Sequence, residues 1–197
     1  FTALTFVWDV TDRANKTTIA EFSLRPHGMF FSHNGAPTED LRHLFIGDEL
    51  DELFDAFFND ELKPEIGTYI VDITDLDAPT FDERYTDGSV GIDHNFVVEA
   101  DRLYVASYTS GTRIFDIVDE ANGSITLEPF AHMDTEPRLP NSILNLKQTL
   151  KFNASFLGQW GVDVFDDGLI IVSDLNNGVV VSSISETPCK GLRCNKP

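Results

Sequence analysis

Gly67-Thr-Tyr-Ile-Val-Asp72-Ile-Thr-Asp75 returns further along the chain as Gly111-Thr-Arg-Ile-Phe-Asp116-Ile-Val-Asp119, and this repetition decides the fold. A degenerate copy follows in Gly178-Val-Val-Val-Ser-Ser-Ile-Ser-Glu186, and Thr5-Phe-Val-Trp-Asp9-Val-Thr-Asp12 is a fourth copy near the start. Each copy is a short run of β-branched and aromatic residues, suited to a pleated and half-buried surface, that closes on polar turn formers. Each therefore reads as a strand. Self-similarity of this kind marks one structural unit used several times.

A second strand signal precedes three of the copies, in His43-Leu-Phe-Ile-Gly47, Arg102-Leu-Tyr-Val-Ala-Ser107 and Gly168-Leu-Ile-Ile-Val-Ser173. Further upstream, Asn95-Phe-Val-Val98 and Gly161-Val-Asp-Val-Phe165 alternate or run apolar as inner strands do. More variable outer segments follow, such as Ala78 to Tyr85 and Ser124 to Met133. The unit is a four-stranded antiparallel blade, and blades recurring at roughly 40 to 50 residues predict an all-β chain folded as a β-propeller. About three blades and the last strands of an earlier one are present, whereas closed propellers use ~4 to 8. Open blade faces and edges invite aggregation, so the other blades are expected from the rest of a longer precursor or from another chain. Two stretches interrupt the rhythm, Asp48 to Glu65 and Glu136 to Leu157, and long excursions of this kind tend to carry binding specificity.

The 197 residues are 42% hydrophobic and 24% charged, the profile of an ordinary globular domain. A formal charge of -19 repels phosphate backbones and anionic membrane faces, which argues against nucleic acid as a partner and is compatible with divalent cations and basic proteins. No apolar run approaches the ~20 residues needed to span a bilayer. The sequence starts at Phe1 and enters a strand at once, so a signal peptide is expected to have been removed upstream. Cys189-Lys-Gly-Leu-Arg-Cys194 allows a local disulfide, with Gly191 permitting the tight turn. Sequons at Asn15, Asn122 and Asn153, taken with that cysteine pair, predict a secreted or cell-surface glycoprotein. The alternative is chance sequons and two reduced thiols.

An ordered set of motifs resembles the choice-of-anchor B family, whose domain is built of LVIVD repeats. The set comprises Phe6-Val-Trp-Asp-Val-Thr-Asp12, Ser32-His-Asn34, Gly47-Asp-Glu-Leu-Asp-Glu52, Tyr69-Ile-Val-Asp-Ile-Thr-Asp-Leu-Asp-Ala-Pro79, Ile92-Asp-His-Asn95, Ser107-Tyr-Thr-Ser-Gly-Thr-Arg-Ile-Phe-Asp116, Met133-Asp-Thr135 and Gly158-Gln-Trp-Gly161 leading to Val172-Ser-Asp174. The resemblance runs from about Phe6 to Val181 and implies the later part of a β-propeller in an exported protein held at a surface by a terminal anchor; the chain divides into this partial propeller over 1–186 and a tail over 187–197. It implies a fold and a location more than a reaction. Leu53 to Lys63 and Pro140 to Asn153 depart from the family as insertions, and the tail shows no recognisable anchor.

Among candidate sites, Asp48, Glu49, Asp51 and Glu52 form an acidic run able to offer several hard oxygens to Ca2+, although the spacing is not that of an EF-hand loop. The alternative is a solvated turn with one carboxylate capping backbone N–H groups. His33 and His94 each precede Asn at corresponding places in successive blades, so His33, His94 and Asp93 are expected to gather near the axis as a metal or proton-transfer site, or else to fix the inter-blade turns. Asp9, Asp72 and Asp116, with Asp12, Asp75 and Asp119 three residues on, read as turn residues accepting local backbone N–H bonds. Trp8 and Trp160 read as packing between blades. Nothing resembles a nucleophile elbow or a phosphate loop. The expected function is a non-catalytic extracellular module making protein contacts in a surface assembly, matrix or filament; the alternative is a metal-dependent hydrolase or lyase acting at the axis.

Overall fold

The computed structural model describes residues 3–50, 65–89, 91–135 and 156–184. Among them the chain is all-β, with strands in four antiparallel sheets, and no helix is long and apolar enough to cross a membrane. Strands β1 (Leu4–Asp9) and β2 (Thr17–Ser23) form the first sheet. The second runs β3 (Ser32–Pro37), β4 (His43–Asp48), β5 (Thr68–Asp72) and β6 (Thr80–Tyr85). The third runs β7 (Asn95–Glu99), β8 (Arg102–Ala106), β9 (Thr112–Asp119) and β10 (Ile125–Met133), and the fourth β11 (Gln159–Val164), β12 (Leu169–Asp174) and β13 (Gly178–Ser183). Every pairing joins sequence neighbours, so each sheet is a simple meander.

The strands read from the repeat are present, and two unread strands, β2 and β3, join them. β3 carries Ser-His-Asn-Gly-Ala-Pro, with no apolar run, and owes its conformation to pairing with β4. The turn residues divide. Asp9, Asp12, Asp72 and Asp75 accept backbone N–H bonds two residues on, at 2.7 to 3.0 Å. Asp116 does not, because β9 continues to Asp119 and holds it inside the strand, where it accepts from Arg102 Nε at 2.8 Å.

Three apolar clusters tie the sheets into a row. Ala3 and Leu24 of the first sheet's flanks pack on Ile46, Tyr69 and Val71 of the second. Phe45 and Ile70 of the second meet Phe96, Leu103 and Phe115 of the third. Tyr104, Ala106 and Ile114 of the third meet Val162, Ile170 and Val172 of the fourth.

A polar tie repeats between sheets. Asp93, just ahead of β7, accepts from Thr68 Oγ1 at the start of β5 at 3.4 Å, and Gln159, opening β11, accepts from Thr112 Oγ1 at the start of β9. Both acceptors and both threonines are buried. The start of the third sheet and the start of the fourth thus each reach back to the third strand of the sheet before. Asn34 adds a forward link, its Oδ1 accepting the Phe96 N–H at 2.9 Å.

Candidate functional site

The first strands begin with equivalent tripeptides, Ser32-His33-Asn34, Asp93-His94-Asn95 and Gln159-Trp160-Gly161. Register shifts leave His33 and Trp160 as the unpaired residues of β-bulges in β3 and β11. A bulge re-aims its side chain, and these two turn toward His94. The His33 and His94 rings lie 4.3 Å apart, and His94 and Trp160 5.4 Å apart.

Glu49, just beyond β4, connects the group. Its Oε2 is 3.1 Å from His33 Nδ1, and its Oε1 accepts from the Tyr108 hydroxyl at 2.7 Å and lies 3.6 Å from His94 Nε2. The Trp160 indole N–H donates to His94 Nε2 at 2.5 Å. Nε2 therefore carries a lone pair, and the proton belongs on Nδ1, which donates to the Trp160 carbonyl at 2.5 Å. Burial pushes the His94 pKa below its ordinary value; the Trp160 carbonyl opposes that shift, His33 adds to it and Glu49 opposes it. Burial, the bond to Glu49 and its charge all push the Tyr108 hydroxyl up, so it stays a donor.

Chemically, His33, Glu49 and His94 can present one ligand atom each within 4.8 Å of one another. Two imidazoles and a carboxylate suit Zn2+ better than Ca2+, which prefers oxygen. Both His94 nitrogens are engaged by Trp160, so ligation through Nε2 requires the indole to swing aside. Trp160 is half-exposed, which leaves it room to do so.

The other predicted residues go elsewhere. Asp48 is buried and caps backbone: it accepts from Leu50 N and Phe31 N at 3.1 Å each and from Phe30 N. It therefore does not share a ligand set with Glu49. Asp51 and Glu52 lie outside the described residues. Asp93 is buried between sheets, accepting from Ser107 Oγ at 3.1 Å as well as from Thr68. Asn15 and Asn122 are exposed in the β1–β2 and β9–β10 hairpins, both of which join a repeat strand to the outer strand after it. Asn153, Cys189, Cys194 and the tail over 187–197 lie outside the described residues.

Two members of the cluster escape a reading of the sequence. Tyr108 lies in Ser107-Tyr-Thr-Ser110 and Trp160 in Gly158-Gln-Trp-Gly161, contexts with no ligand motif, and only the sheet junction brings their polar ends to Glu49 and His94. Trp8 and Trp160 are each about half exposed (50% and 45%), so neither is buried between sheets in the way expected of inter-blade packing. No family model and no curated protein matches the chain.

Proposed function

We propose that the chain belongs to a β-propeller of the choice-of-anchor B kind that acts outside the cell as a non-catalytic module, docking through its outermost sheets to further blades or to another protein subunit. The observation that carries this reading is the uncovered apolar face at each end of the row of sheets. On β1, Leu4, Phe6 and Trp8 alternate outward with exposures of 37%, 50% and 50%. On β13, Val179 and Val181 do the same at 71% and 57%. The opposite faces of these same sheets are packed in the core. A sheet with one dry face and one bare apolar face is incomplete by the logic that builds the row. The resemblance, the sequons in exposed hairpins and the acidic composition support an extracellular setting.

Sedimentation equilibrium of the purified chain tests the docking faces. Concentration-dependent association that weakens in Phe6→Glu and in Val181→Lys is the expected result. A chain that stays monomeric in both forms, and gains no stability from any neighbour, overturns the reading. Expression through a secretory route adds a second check, with glycosidase-sensitive mass on Asn15 and Asn122.

A second reading, a metal-dependent hydrolase or lyase, is favoured by the convergence of His33, Glu49 and His94 within 4.8 Å. Paired His33→Ala and His94→Ala substitutions that abolish a measured turnover while leaving the fold intact would move this reading to first place. Unchanged turnover removes it.

A further inference from the structure

The second and third sheets carry the same device at equivalent positions. In the third, Arg102 opens β8 and lies directly across from Asp116 on β9. The next strand, β10, bulges at Phe130, between Pro129 and Ala131. Arg102 Nε donates to Asp116 at 2.8 Å, and its guanidinium lies 3.6 Å from the centre of the Phe130 ring. In the second sheet, His43 opens β4 across from Asp72 on β5, and β6 bulges at Asp82, between Phe81 and Glu83. His43, Asp72 and Asp82 thus correspond, position for position, to Arg102, Asp116 and Phe130.

The substitutions change the charge balance. The third sheet matches one carboxylate with a permanent cation and an aromatic face. The second places two carboxylates around an imidazole, and the bulge residue Asp82 supplies the second of them. His43 is 2% exposed, and its Nε2 makes no hydrogen bond. That nitrogen points at Asp82 Oδ2 from 3.7 Å, too far for a hydrogen bond. It is close to the edge of a tetrahedron around Zn2+, roughly 3.4 Å for ligands at ~2.0 to 2.2 Å. One ligand atom from each of His43, Asp72 and Asp82 falls within 4.8 Å of the others. Asp82 is open to solvent, which gives an ion a way in.

We propose that His43, Asp72 and Asp82 form a binding site for a borderline divalent cation, Zn2+ or one like it, that cross-links β4, β5 and β6 where the next sheet uses Arg102. The ligand set of one imidazole nitrogen and two carboxylate oxygens leaves a fourth position for water. The ion supplies the positive charge that arginine supplies in the repeat, and it holds a strand bulge against a sheet. This site is separate from His33, Glu49 and His94 and does not depend on the reading of those residues.

The test is titration of the full chain with Zn2+ alone, followed by calorimetry and by thermal melting, with Co2+ as a spectroscopic substitute. The expected result is saturable binding, a raised melting temperature, and visible Co2+ bands of tetrahedral intensity. In a His33→Asn background, which disables the other histidine set, Asp82→Asn on the exposed bulge should weaken binding about tenfold or more and erase the bands. In the same background His43→Arg, which installs the third sheet's solution, should fold and lose the response to Zn2+. His33→Asn should leave it in place, distinguishing this site from the other histidine cluster. Absence of Zn2+ binding by the unaltered chain overturns the proposal. So does binding that survives Asp82→Asn in the His33→Asn background, where the set of His33, Glu49 and His94 is already disabled.

Discussion

His94 illustrates how one residue's protonation is fixed by what surrounds it. Its Nε2 accepts an indole N–H and its Nδ1 faces a carbonyl, so the neutral ring satisfies both contacts and a second proton would displace the first of them. Because burial lowers its pKa in the folded chain, the unfolded chain binds more protons between that value and the ordinary 6.5. Stability is therefore fully present above 6.5 and is lost as pH falls through the folded value. Urea midpoints between about pH 5.5 and 7.5 should rise with pH, and His94→Gln should flatten that slope. A slope identical in the variant would place the titration on another histidine. Gly111 is a second residue with one answer. It sits at φ 79, and a Cβ there would lie 2.3 Å from the Met133 carbonyl, so Gly111→Ala forces backbone to move and should cost about 1 to 3 kcal/mol by chemical denaturation. That glycine was visible as the first letter of the repeat, and so was its neighbour Thr112. The purpose of the threonine was not, because it bonds to a residue 47 positions away.

At the scale of elements, the sequence revealed strands through β-branched runs, and hid what depends on register. β3 lacks such a run, and the bulges at His33, Trp160, Asp82 and Phe130 leave no compositional mark. A bulge is a relation between two strands, so a single strand's composition cannot declare it. The inter-sheet tie is a relation of the same sort. Gln159 is fully buried, with Nε2 donating to the Met133 carbonyl and Thr135 Oγ1 at 2.9 Å each while Oε1 accepts from Thr112. Gln159→Leu keeps the volume and strands those partners without water, at an expected cost of about 2 to 3 kcal/mol. Combined with Thr112→Val, the double variant should recover about 1 kcal/mol of the summed loss, since removing both partners leaves fewer unpaired groups. Strictly additive losses in a double-mutant cycle would show that the tie between β9 and β11 carries no coupling.

Across the whole molecule, two forces pull in opposite directions. Uncovered apolar faces at both ends of the row favour contact, while a charge of -19 makes any two copies repel. Added salt screens the repulsion over a Debye length of about 8 Å at physiological strength and leaves the apolar attraction in place. Coverage of the end faces should therefore strengthen as salt rises from low to physiological concentration. The two tryptophans allow this to be read face by face, because Trp8 lies on the outer side of the first sheet and Trp160 lies beside His94. In a Trp160→Phe variant, the remaining emission comes from Trp8 alone. Its maximum should move to shorter wavelength as protein concentration or salt increases, since a half-exposed indole becomes dry when another sheet covers it. Phe6→Glu, on the same face, should abolish the shift without altering the emission of the dilute protein. An unmoving Trp8 maximum alongside association detected by sedimentation would assign the contact to the β13 face, where Val179 and Val181 stand, and would leave the β1 face without the neighbour proposed for it.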